Sequence, residues 1–165
     1  MPYLNVALCG STGVGKATIL DRYAQASGAR IEREIVAGHS VSHLLLAAHG
    51  VHLHTAADMM TEPERILPAL LADADEVLYV VTPEGSLLRR LVAELEIFHA
   101  IAAPIGRDWP DTPWQLCLNR MDCGHDFQIL EHFPRPVRSH CICTYAHRGD
   151  GLDTLFDQLL GPTAA

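Results

Sequence analysis

Lysine is nearly missing from this sequence. Of the 12 basic residues 11 are arginine, and Lys16 is the only lysine. A chain that uses arginine wherever either cation serves, yet keeps lysine once, marks a position needing a compact, flexible point charge. Positive charge is also scarce in sum. The net charge of −8 excludes a non-specific grip on nucleic acid or on an anionic membrane. Long apolar runs are absent, and none approaches the ~20 residues of a membrane-spanning helix. The start, Met1-Pro2-Tyr3-Leu4, has neither the basic segment nor the apolar stretch of a signal peptide. The tail carries no cysteine for a lipid. The expectation is therefore a cytoplasmic protein without a membrane anchor. Five cysteines, at 9, 117, 123, 141 and 143, are an odd, scattered set that reads as reduced thiols.

What is present is a globular composition, with 48% hydrophobic and 19% charged residues. The length of 165 residues suits one domain spanning 1–165, and no repeat or linker divides it. Apolar runs at 4–9, 41–48, 51–55, 76–82, 115–118 and 137–143 read as strands, with His49-Gly50 as a hairpin turn. Helical spacing covers 17–26, 62–73, a stretch after Ser86 through Ala102, and 151–160, with a short helix near 126–132. Residues 28–40 read as irregular. Alternating strands and helices predict an α/β fold in three layers, α/β/α. Its sheet of about six strands is mostly parallel, with one antiparallel strand at an edge.

Gly10-Ser11-Thr12-Gly13-Val14-Gly15-Lys16 has the Gly-x-x-x-x-Gly-Lys spacing and lies between a predicted strand and a predicted helix. That is the setting of a phosphate-binding P-loop. Glycines let successive N–H groups curl around phosphate oxygens, and the helix N-terminus adds positive potential. Ala17 and Thr18 complete the expected cradle.

Asn119-Arg120-Met121-Asp122 follows the fifth predicted strand, and Tyr145-Ala146-His147-Arg148-Gly149-Asp150-Gly151 follows the last. The first resembles the Asn-Lys-x-Asp guanine motif with arginine for lysine. The second resembles the Ser-Ala-Lys-x-Gly-x-Gly stretch, with tyrosine for serine. Together with the P-loop, they make the chain similar over its length to the small bacterial Ras-like GTPases. Its short size and closing arrangement are faintly similar to the accessory GTPases of ethanolamine and propanediol utilisation.

The resemblance implies GTP or GDP as ligand. Asp122 would accept from guanine N1–H and N2–H₂, Asn119 would hold the neighbouring loops and approach N7, and the Arg120 stem would cover the base. Ala146 would give its backbone N–H to guanine O6, with His147 beside it. It also implies a protein effector or regulator as partner.

The same resemblance exposes losses. The hydroxyl that ligates Mg²⁺ after the lysine is replaced by the Ala17 methyl. Thr18 points about 100° away on a helix. The Asp-x-x-Gly motif reads His54-Thr55-Ala56-Ala57, followed by Asp58 where some members carry a water-orienting glutamine. Ser40 and Ser42 are the candidates for the switch-one hydroxyl. Mg²⁺ binding is therefore expected to be weakened and GTP hydrolysis weak or absent. The leading expectation is a guanine-nucleotide-binding regulatory protein. An active GTPase switch and a nucleotide-free scaffold are the alternatives. His39, His43, His49, His52 and His54 crowd one stretch, but without a carboxylate or cysteine at ligand spacing no metal site is assigned.

Overall fold

The central strands are apolar on both faces, which is the pattern of parallel strands covered by helices. The computed structural model describes residues 3–120 and 126–159. Its strands are β1 (Leu4–Cys9), β2 (Ile31–Val36), β3 (His39–Leu46), β4 (Val51–Ala56), β5 (Glu76–Val81), β6 (Trp114–Asn119) and β7 (Ile142–Thr144). Its α-helices are α1 (Lys16–Ser27), α2 (Pro63–Leu71), α3 (Leu88–Ala102), α4 (Arg135–Arg138) and α5 (Leu152–Leu159). The seven strands form one mixed sheet in the order β2-β3-β4-β1-β5-β6-β7. β1, β4, β5, β6 and β7 run parallel, and β3 is antiparallel to both its neighbours.

Two cores flank the sheet. On one face Ile66, Leu67, Leu95 and Phe98 of α2 and α3 pack on Tyr79 and Trp114. On the other, Ile19 and Leu20 of α1 and Leu155 of α5 pack on Val6, Leu53 and Val80. The fold is thus α/β with helices on both faces. No helix among the described residues is long and apolar enough to cross a membrane.

Four expectations need correction. The sheet has seven strands, because residues 31–36 form β2 rather than irregular chain. Its Ile-Glu-Arg-Glu-Ile-Val sequence is mostly exposed, since an edge strand needs one paired side and little burial. Consequently β3, the antiparallel strand, lies inside the edge and not at it. Residues 137–143 are not one strand: Pro134 caps the short α4, Pro136 sits in its first turn where proline is tolerated, and β7 starts only at Ile142. Ser86 does not cap α3. Its Oγ donates to Glu84 Oε1, and a 3-10 turn Gly85–Leu87 leads into the helix at Leu88.

The parallel strands all end on the same side. The loops after β1, β4, β5, β6 and β7 therefore meet there, in the crevice where open α/β sheets bind ligands.

Candidate functional site

The loop after β1 has a backbone that only glycine tolerates at two points. Gly10 has φ 135°, and a Cβ there would lie 2.2 Å from the Val80 carbonyl oxygen. Gly15 has φ 104°, and a Cβ would lie 2.1 Å from Asn119 Nδ2. The glycine spacing thus records how closely β5 and Asn119 approach the loop. Lys16 is 4% exposed and folds back over the loop, its Nζ donating to Gly10 O at 2.7 Å and Ser11 O at 2.8 Å. An ammonium has three donors, so one N–H remains for an anion. Burial lowers the Lys16 ammonium to about 8, and the nearby Glu94 carboxylate opposes that shift. Lys16 is therefore mostly charged at neutral pH.

Asn119 ties three loops together. Its Nδ2 donates to Val14 O at 2.7 Å, and its Oδ1 accepts from Thr144 Oγ1 and from the Ala146 N–H, both at 3.0 Å. Asn119 and Thr144 are each 2% exposed, so these bonds are dry. Arg22 of α1 adds a clasp, donating to the carbonyls of Ala146 and His147. Beside this knot lies a cavity of about 290 Å³ lined by Gly13, Gly15, Thr18, Asn119, Arg120, Tyr145 and His147. Arg120 enters it from a left-handed backbone, φ 62°. The Arg148 guanidinium sits 4.2 Å over the Tyr145 ring and braces one wall.

The structure thus brings Gly13, Gly15, Thr18, Asn119, Arg120 and His147 of the expected site to one cavity. Val14 is buried beneath it. One assigned role needs correction: the Ala146 N–H, expected to face guanine O6, is taken by Asn119 Oδ1. Asp122 lies outside the described residues.

The residues expected to serve Mg²⁺ are placed differently. Ala17 is exposed, and Thr18 lines the cavity beside Asn119. His54 pairs in register with Ala7, three residues back from Gly10, and its Nε2–H donates to Leu70 O at 2.8 Å under α2. Ser40 and Ser42 are held in β3, opposite Ile35 and Arg33 of β2, and not in a loop over the cradle. The residues at 17 and 54 therefore do not fit Mg²⁺, a hard cation that needs oxygen ligands.

The His54 imidazole is 7% exposed, and burial holds it down to about 4. Its folded value lies below the unfolded one, so its contribution to stability is present above about 6.5 and is lost as pH falls toward 4. Equilibrium urea titrations should show His54→Gln gaining ~2 kcal/mol relative to wild type as pH falls across that window. An equal acid loss in His54→Gln would rule out this assignment.

Of the other histidines in that stretch, His39 pairs with Asp58 and Glu62, and two use one another. His43 Nδ1 lies 3.1 Å from His52 Nε2 and the two rings stack. They line a cavity of about 440 Å³ with Glu34 and Asn5, away from the loop after β1. Among the described residues no group of three or more His, Cys, Asp or Glu side chains is arranged to hold a metal ion.

Two contributors to the P-loop region were not foreseen. Thr144 anchors Asn119, and Glu94 of α3 accepts the Ser11 hydroxyl and, at 2.8 Å, the Arg90 Nε–H. A signal for Glu94 did exist: it interrupts the apolar stripe Leu91, Leu95, Phe98, Ala102 of its helix. Compared with known proteins, the chain matches no family model and no curated sequence.

Proposed function

We propose that this chain is a guanine-nucleotide-binding regulatory protein of the Ras-like small-GTPase type, with weak or absent GTP hydrolysis. It acts in the cytoplasm through a protein effector or regulator. The observation that carries the reading is the Asn119 side chain, which bonds the P-loop at Val14 and the β7–α5 loop at Ala146. A turn or capping asparagine has no reason to join those two loops. A nucleotide site does, because phosphate and base must be held at a set separation.

In this reading the amides of residues 10–18, the α1 N-terminus and the free Lys16 N–H bind the phosphates. The base enters beside Asn119, with the Arg120 stem over one face and Asp122 accepting from N1–H and N2–H₂. Guanine O6 has to take its hydrogen bond from a donor other than the Ala146 N–H. Charge on a transferring phosphoryl group is poorly neutralised, since Ala17 and His54 do not fit a magnesium ion. Binding and hydrolysis are therefore separate properties of this domain.

Denaturing freshly purified protein and separating what it releases by chromatography tests the reading. GDP or GTP is expected from the wild type and none from Lys16→Ala. Adenine nucleotide, or equal release from both proteins, would refute it. Asp122→Ala should reduce guanine-over-adenine preference in a competition assay. Ala17→Ser restores a hydroxyl to the first turn of α1 and should make nucleotide affinity rise on adding Mg²⁺. An unchanged Mg²⁺ response would show that the lost hydroxyl is not what weakens the metal.

A further inference from the structure

Glu94 is an acid in an unfavourable position. It lies in the buried stripe of α3, 8% exposed, with one donor on each oxygen: Ser11 Oγ on Oε2 and Arg90 Nε on Oε1. Ser11 is gripped from both sides, its carbonyl by Lys16 Nζ at 2.8 Å and its hydroxyl by Glu94. Lys16 and Glu94 meet through Ser11, and the Glu94 charge favours the Lys16 ammonium while that of Arg90 opposes it. The loop's one lysine therefore already lies in the field of an anion bonded to the same residue. Burial keeps water from screening that charge.

We propose that Glu94 is a charge gate of the P-loop, competing with incoming phosphate for Lys16 and biasing the cradle toward the less charged guanine nucleotide. The inference rests on the nucleotide-binding reading above. A phosphate chain in the cradle adds negative charge within the field of a fixed, desolvated carboxylate. Each further phosphate raises the repulsion. The metal that would offset it has no suitable donors at 17 or 54. Arg90, half exposed and bonded to Glu94, is the compensating cation on the α3 side. Glu94 is a positioning residue here, since it acts through Ser11 and Lys16 and not on the ligand itself.

A purely structural role would look different. If Glu94 only staples α3 to the loop, replacing it would alter every ligand alike. A gate acts in proportion to ligand charge. The test is calorimetric titration of guanosine, GDP and GTP, without divalent metal, into wild type, Glu94→Gln and Arg90→Ala. The wild type should bind GTP no more tightly than GDP. Glu94→Gln should tighten GTP about tenfold and GDP less, and leave guanosine unchanged. Arg90→Ala should weaken GTP more than GDP. Wild type that favours GTP overturns the gate even where Glu94→Gln fails to fold. An equal change for all three ligands, or none, also overturns it while leaving nucleotide binding intact. Absence of binding by every protein refutes the nucleotide reading itself, and the gate with it.

Discussion

Asn119→Ala lowers stability by about 4 kcal/mol and abolishes guanine-nucleotide binding. Three hydrogen bonds converge on this one buried amide. Truncation removes them and leaves the Val14 carbonyl and the Ala146 N–H without a partner in a dry site. Each such orphan costs roughly 1–3 kcal/mol. Asn119→Asp keeps the acceptor for Thr144 and Ala146 but sets a carboxylate oxygen against the Val14 carbonyl, so it should be nearly as damaging. Arg120→Ala, at an exposed position next in sequence, should change stability by well under 1 kcal/mol. Urea denaturation of the three variants measures this. A loss below ~1 kcal/mol in Asn119→Ala would mean that the loops are held by something other than Asn119.

The second large effect is alkaline loss of stability at Glu76. This residue opens β5, is 9% exposed, and has Oε1 buried without a hydrogen-bond partner. Burial raises its carboxyl to about 7, with a hydrogen bond to Gln115 working the other way. The folded value lies above the unfolded one, so the native state holds the proton more tightly. The contribution is full below about 4.5 and is lost as pH rises toward 7 and beyond. The cost at pH 8 is about 2 kcal/mol, discounting the full shift for partial solvent access. Glu76→Gln should therefore be more stable than wild type at pH 8 and equal or weaker at pH 4. Urea midpoints at the two pH values test this, and a pH-independent difference would refute it. His54 acts in the opposite sense over an overlapping window, so the two effects largely offset each other in the wild type, and each is read from the difference between wild type and its Gln variant.

The glycine-rich loop between β1 and α1 was legible in the sequence because its requirements are local. Gly10 and Gly15 answer backbone angles that no other residue adopts cheaply, and Lys16 stands alone in an arginine-rich chain. The parallel strands were legible for the same reason, as continuous apolar runs. β2 was not, because Glu32, Arg33 and Glu34 face solvent at an edge and carry no burial pattern. The start of β7 was misread because Val137 and Ile142 look alike in one dimension, although Val137 lies in α4 and a turn at 139–140 separates it from β7.

The site divides along the same line. The glycines and Asn119 announce themselves by spacing. Ser11 and Glu94 meet across 83 residues of sequence, and Asn119 and Thr144 across 25, so no local pattern joins them. The Ala146 amide shows the converse limit. Its position was legible, but its partner depends on where the Asn119 side chain comes to rest. His54 could be recognised as a lost carboxylate, yet its bond to Leu70 needed the packing of α2 against β4.

On the proposed function, a domain whose positions 17 and 54 give no oxygen ligand to magnesium should bind guanine nucleotide without hydrolysing it. Titration of the wild-type protein with GDP and with ADP, each with and without Mg²⁺, tests that claim most directly. GDP should bind with nearly the same affinity in both buffers, and ADP should not bind. Equal binding of GDP and ADP, or GDP binding that appears only with Mg²⁺, would contradict it.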